Sequence, residues 1–448
     1  MVCNKGLFKS VISFFAFSLM LLARANFAPT SIAKWQANYS KTCKNGYTMD
    51  QEASTPEQET SISNTMTNSV HRMHHHFWHG IRNQASQLKQ SEWNFLKLVN
   101  PDWVMTSKSF LITDLTKRKA AEGSGTNIAG EDFLYMHHQM YAEVENAIIS
   151  DSNNQSGKCI GPWLELPDPK SSIWPVTLDE GEEANGIKSD RGLEQLNMWL
   201  SGFISTTFLK ANPLAELGYQ LEVTLHNNMH MRFAHWDNDK WPQQRPNFGF
   251  EVLKNPNSIN LAAFNTPSYD YLGDTYSAHV NPTFFKLHGM VDMLIYAWLD
   301  ANGYDNIADD CSGIQKCYTW KGTWAGPSGY HAASSDDHVM MAHAGHAGHG
   351  DIIQSFSDAL REAKAHPEKV IVNDAASPEH DVGNALEARP GDAIDNLVKG
   401  LLKKIADRSS MKFGQLTSKT LPADGQPLLS AEDYLTKIQK QNGDLFND

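Results

Sequence analysis

Two pairs of histidines spaced four residues apart constrain this chain more than any other feature. His75 and His79 lie in a stretch that also carries His71, His74 and His76, and His226 and His230 repeat the spacing in Leu225-His226-Asn227-Asn228-Met229-His230. Residues four apart project from one face of a helix, so each pair offers two imidazoles to the same neighbour. His137 and His288 each stand on an expected helix in aromatic and apolar surroundings. A lone HxxxH in 448 residues is a weak signal, because a surface or core pair explains it equally well. Two pairs, each followed by a single histidine on a later helix, give two sets of three imidazoles facing one interior. Helical bundles build dinuclear metal sites in this manner.

The donor set narrows the metal. Imidazole suits zinc, copper, iron and nickel. Di-iron bundles add several glutamates in an E-x-x-H pattern, which these helices lack, and zinc HExxH motifs carry a glutamate where this chain has Asn227. Neutral all-histidine coordination supports both Cu(I) and Cu(II), so the expectation is a dicopper site that binds dioxygen. The fold class expected is mainly α: an antiparallel helical bundle holding a dinuclear copper site, with long loops and a C-terminal helical extension.

The rest of the chain is organised around that core. Residues 26–65 are polar and read as an extended leader. Helical patterns cover 68–99, 131–150, 193–203, 213–233, 282–299, 352–365, 393–406 and 431–439, and 235–272 is irregular. The copper domain is expected over 66–330, a His/Met-rich linker over 331–350, and a helical extension over 351–448. At the start, Lys5 and Lys9 precede the apolar run Val11–Ala23 and an Ala23-Arg24-Ala25 signal, so 1–25 reads as a cleaved Sec-type signal peptide, placing the mature chain in the periplasm or outside the cell. No second apolar run exists, so no stable membrane span is expected after cleavage. With 38 basic and 51 acidic residues the formal charge is −13, and no basic run exists, so nucleic acid is an unsuitable partner. Four cysteines then remain (Cys43, Cys159, Cys311 and Cys317); an oxidising compartment favours disulfides, with Cys311–Cys317 the favoured pair.

Four islands of sequence resemble one family. Gly130-Glu131-Asp132-Phe133-Leu134-Tyr135-Met136-His137-His138-Gln139-Met140-Tyr141 is similar to the segment carrying the third ligand of the first copper in arthropod hemocyanins and prophenoloxidases. His75-His76-Phe77-Trp78-His79 resembles their first-site helix, and Leu225–His230 their LHN-xx-H at the second copper. Leu272-Gly273-Asp274-Thr275, with Asn281-Pro282-Thr283-Phe284 through His288 and Asp292, resembles their DPxF-x-x-x-H-xxxD segment; tyrosinases and catechol oxidases share the second-site pattern more loosely. By this resemblance the chain is identified as a type 3 copper protein. It departs from the family at Asn281, where Asp usually precedes the proline, and no cysteine stands near the first-site histidines to form a thioether.

The resemblance implies His75, His79 and His137 on the first of two copper ions, and His226, His230 and His288 on the second. His71/His75 has the same spacing as His75/His79; the interleaved aromatics favour the latter. His74, His76 and His138 point off the ligand faces and read as groups that support the ligands from behind, pack in the core or stand in solvent. The implied activity is that of a tyrosinase or catechol oxidase: dioxygen, the co-substrate, is bound as peroxide, monophenols are hydroxylated and o-diphenols are oxidised to o-quinones. Asn227, with Glu222 or else Glu216, is implied to hold a water that takes the phenol's proton. Asp292 reads as an imidazole-orienting acid or a plain helix-face acid, and Arg232 as an anchor for a substrate carboxylate or a surface ion-pair partner. The substrate is a small phenol or a peptide-borne tyrosine. The alternative is a non-catalytic oxygen- or copper-binding protein. The segment from Asp336 to His349, with Met340 and Met341 among its histidines, suits copper loading or buffering, or is a plain linker. Family analogy further implies that the C-terminal segment covers the mouth of the site.

Overall fold

The computed structural model describes residues 27–38, 54–84, 88–100, 129–151, 160–168, 170–178, 186–235, 249–258, 260–324, 352–372, 390–408, 420–423 and 425–441. The signal segment, Cys43, Cys159 and the His/Met-rich stretch lie outside them. In chain order the helices are α1 (Pro29–Asn38), α2 (Pro56–Met66), α3 (Ser69–Gln84), α4 (Gln90–Val99), α5 (Ala129–Ser150), α6 (Asp190–Phe203) and α7 (Thr206–Ala211). They continue with α8 (Leu214–Leu221), α9 (Asn227–Phe233), α10 (Phe250–Lys254), α11 (Pro282–Asn302), α12 (Ile352–Ala365), α13 (Pro390–Arg408) and α14 (Ala431–Gln441). The protein is mainly helical. Two short parallel strands, β1 (Asn306–Ala308) and β2 (Cys317–Thr319), pair with Asn306 opposite Cys317, and the Cys311–Cys317 disulfide closes their connection. No helix among the described residues is long and apolar enough to cross a membrane.

Sequence explains where the helices start. Thr55 caps α2 through a reciprocal bond with Gln58, with Pro56 at the first helical position. Ser189 caps α6 by accepting from Gly192 N. Asn281 caps α11 by accepting from Thr283 N, ahead of Pro282. The same helix ends on Gly303 in the left-handed conformation that glycine adopts freely. Asn281 also donates from its side-chain nitrogen to Asp270 O at 3.1 Å, which an aspartate could not do. Asparagine at this position thus keeps the cap and adds a tie to the preceding loop.

Three segments differ from expectation. The polar leader carries α1 and α2, whose Trp35, Ile62 and Met66 are fully buried; a few well-placed apolar residues outweigh its polar composition. The single helix expected over 68–99 is two elements, α3 and α4. The helix expected over 213–233 is interrupted by a π-helical turn, Glu222–His226, between α8 and α9.

Close backbone approach sets the helix packing. α5 crosses α8 where a Cβ on Gly130 would stand 2.0 Å from Ala215 O and one on Gly218 would stand 2.1 Å from Gly130 O. Neither position accepts a side chain in so dense an interior. α13 reaches α3 the same way, with Ile405 2.5 Å from where a Gly80 Cβ would be. α12 sets Phe356 against Phe77 and Phe95, and Lys404 of α13 pairs with Glu92 at 2.9 Å. α14 lies against the π-turn and α8, with Tyr434 against Trp199. The C-terminal helices therefore share one hydrophobic core with the histidine-bearing helices.

Candidate metal centre

α3 delivers His75 and His79, α5 delivers His137, the π-turn and α9 deliver His226 and His230, and α11 delivers His288. All six are between 0% and 4% exposed. Their ligand atoms gather into two groups within 4.8 Å, His75/His79/His137 and His137/His226/His288. His230 joins the second, its Nε2 3.1 Å from that of His226. His137 stands between the groups, with its ring stacked on His288 at 4.5 Å and 6.0 Å from His75.

The hydrogen bonds decide which nitrogen faces inward. His137 Nδ1 donates to Phe133 O at 2.8 Å and His288 Nδ1 to Phe284 O at 2.7 Å, each one turn back on its own helix. His75 Nδ1 donates to Thr275 O at 2.6 Å and His230 Nδ1 to Leu272 O at 2.9 Å. His226 Nδ1 lies 3.0 Å from Asn227 Oδ1. A neutral imidazole carries one proton, so each ring that spends it at Nδ1 turns an Nε2 lone pair inward. His226 Nε2 is 3.0 Å from His288 Nε2, and His75 Nε2 is 3.1 Å from His79 Nε2. His137 Nε2 is buried with no hydrogen-bond partner.

Protons do not resolve this crowding of lone pairs. Burial, the largest cause throughout, lowers His75 from 6.5 to about 3 and His230 to about 4. His79, His137, His226 and His288 lie well below 6.5 for the same reason, with neighbouring imidazoles acting in the same direction. Converging neutral donors, buried and reluctant to protonate, are what a cation of imidazole-binding type requires. Neither group contains a carboxylate. The residues fit a metal centre, and the histidine clusters could hold metal ions.

The other residues marked in the sequence have these surroundings. Glu222 accepts from Arg82 through both oxygens, at 2.6 and 2.7 Å, in a buried ion pair that ties α3 to the π-turn. Glu216 accepts from Gln220 at 2.8 Å. Asp292 does hold an imidazole, but that of His138, at 2.7 Å, which raises His138's basicity against the effect of burial. Arg232 is buried rather than at the surface, and donates to Ile187 O and Ser189 O. His71 faces Glu143 at 3.5 Å and takes no part in either group. His74 and His76 are buried rather than solvated, and His76 Nδ1 lies 3.0 Å from Thr275 Oγ1.

Sequence reading missed His279, whose ring lies 4.9 Å from His75 and whose Nε2 is buried without a hydrogen-bond partner. It also missed Phe133 and Phe284. Phe284 stacks on His288 at 3.6 Å and sets its face edgewise to His75 and His230, each at 5.6 Å. The i−4 spacing of Phe133 to His137 and Phe284 to His288 is the one signal in the sequence that marks both. No family model matches the chain, and no curated protein matches it.

Proposed function

We propose that the chain is an exported type 3 copper oxidase, acting on phenols in the manner of a tyrosinase or catechol oxidase. The observation that carries this reading is the inward convergence of His75, His79, His137, His226, His230 and His288, with no carboxylate in either group. Two copper ions bound there would supply the electron exchange with dioxygen that phenol oxidation needs. The chain's own part is to fix each imidazole by its outer nitrogen, to keep the donors neutral and to exclude bulk water. Asn227 holds the ring of His226, and the Arg82–Glu222 pair fixes the distance between α3 and the π-turn. The Cys311–Cys317 disulfide supports export to an oxidising compartment.

A second reading, an oxygen- or copper-binding protein without turnover, is favoured by one observation. The six imidazoles are buried beneath Phe133 and Phe284, so an aromatic substrate must move side chains to reach them.

One experiment separates the readings: copper per chain, electron paramagnetic resonance of the cupric protein, and oxygen uptake with a monophenol and then a catechol. Two coppers, a silent coupled pair and uptake with either substrate establish the oxidase, and the substrates used distinguish tyrosinase from catechol oxidase. Two coppers with no uptake establish the non-catalytic reading. Fewer than two, or an uncoupled signal, removes the oxidase and leaves copper binding without turnover; no bound copper removes both.

A further inference from the structure

His75 and His230 stand on different helices and in different halves of the centre, yet both are oriented by one short piece of backbone. Thr275 O receives His75 Nδ1 and Leu272 O receives His230 Nδ1, three residues apart in the same loop. Little regular secondary structure fixes that loop: apart from a bridge at Asp274, Leu272 and Thr275 lie in turns between the 3₁₀ segments Leu261–Phe264 and Ala278–Val280.

Arg72 fixes it. Its side chain is fully buried one turn before His75. The guanidinium donates to Tyr269 O at 2.7 Å, Thr266 O at 2.8 Å and, more weakly, Tyr276 O at 3.5 Å, while Nε donates to Thr67 O at 2.7 Å. The rings of Tyr269 and Tyr276 flank it, with centroids 5.6 Å and 5.5 Å away, close enough for a cation–π attraction. These contacts fall on both sides of Leu272 and Thr275, so the loop's path between them is set from α3. The donor fork matters here: a guanidinium satisfies several carbonyls in one plane, whereas an ammonium cannot.

We propose that Arg72 is a positioning residue for both halves of the metal centre, acting through the 266–276 loop on His75 and His230 together. The proposal rests on reading the histidine clusters as a metal centre. It differs from the ordinary expectation for a residue on α3, which is an effect on the first group alone. Orientation of a ligand imidazole through its outer nitrogen typically changes metal affinity by about 10- to 100-fold.

The test uses the full chain and two probe ions, Zn(II) and Cu(II), in equilibrium dialysis, with electron paramagnetic resonance of the cupric protein and thermal unfolding of the metal-free protein. The variants are R72K, which keeps the charge but not the fork, H75A as a one-sided control, and N281D. The last keeps the α11 cap but loses the donor to Asp270 O, loosening the same loop without touching α3 or any histidine. In R72K both ions should weaken, each by about 10-fold or more, and the cupric pair should become visible by resonance; H75A should weaken only one. N281D should show the two-ion pattern at smaller amplitude, and it carries the test should R72K fail to fold. If R72K, or N281D in its place, keeps both affinities and a silent pair, or loses one ion as H75A does, the proposal is overturned. A shift in metal-free unfolding with unchanged affinities shows a merely structural role and overturns it as well. Wild-type protein binding fewer than two ions of either metal removes the metal-centre reading itself, before any variant is compared.

Discussion

His79 and His226 mark the two halves of the centre, and the halves are supported differently. On the α3 side the next residue, Gly80, receives Ile405 of α13, Phe77 meets Phe356 of α12, and Trp78 stacks on Trp324 at 5.9 Å. Every one of these partners lies far along the chain, beyond the end of α11. On the other side His226 is held by its neighbour Asn227, His288 by Phe284, and His230 by Leu272, 42 residues away. Apart from His137, which both groups share, the second group takes its orienting bonds from within residues 214–302, with α14 packed on its π-turn, while the packing beneath the first group comes from beyond residue 302. Long-range contacts of this kind form late, because loop closure must precede them.

The largest expected effect falls on both halves alike and sets the baseline. Seven buried histidines, His279 among them, are held below 6.5 in the metal-free fold. The unfolded chain takes up protons there that the fold refuses, so stability is full above about pH 6.5 and falls as pH drops toward the folded values. Glu131, raised to about 7, and Glu143 and Glu145, each raised to about 8, act with the opposite sign. Their burial costs stability as pH rises from about 4.5. The histidines outnumber them, so the metal-free melting temperature should peak near neutrality and fall by the equivalent of several kcal/mol by about pH 5.

Truncation after residue 330 sharpens the contrast between the halves. A removable cover over the mouth of the site predicts increased activity, and unchanged activity would count against it. Phe356, Leu401 and Ile405 instead bury their side chains in the shared core. Losing those three apolar side chains alone predicts a destabilisation of about 5 kcal/mol or more. Metal titration should show the first group more damaged than the second.

R82M, which strands Glu222 in the interior, should cost about 3–5 kcal/mol. E222Q asks a finer question of the same pair. If Glu222 serves the phenol's proton, monophenol turnover falls while catechol turnover survives; if it is a strut between α3 and the π-turn, both fall together. Smaller again is the contrast of two alanines. G130A forces backbone against backbone at the α5–α8 crossing, for about 3 kcal/mol. G80A meets Ile405 Cγ2 at 2.5 Å and the Ile405 carbonyl oxygen at 2.7 Å, a less severe approach than at Gly130, so it should cost somewhat less. Denaturant titration of both variants checks the order.

Much of the centre was legible in the sequence because its histidines repeat at helical spacing, and helical spacing projects directly into space. The favoured Cys311–Cys317 pair was legible for a similar reason, being close in the chain. What could not be read was whatever depends on irregular backbone. Thr275 and Leu272 act through carbonyls, which every residue has, and Arg72 through a loop distant in the chain. Arg232 looked like a surface cation because a lone arginine carries no sign of the carbonyls it will meet. Trp35 was hidden in a leader judged by its average polarity.

The π-turn between α8 and α9 has a consequence for how the chain tolerates change. A π-turn holds one more residue than an α-turn, so it sets the two helices it joins about 100° out of phase relative to an unbroken helix. Leu214, Leu217 and Leu221 before it are buried, and His226 and His230 after it face the centre. A one-residue deletion within 222–225 would let α8 and α9 run on as a single α-helix. It would leave every histidine in the sequence, and it would rotate two of them away from the other four.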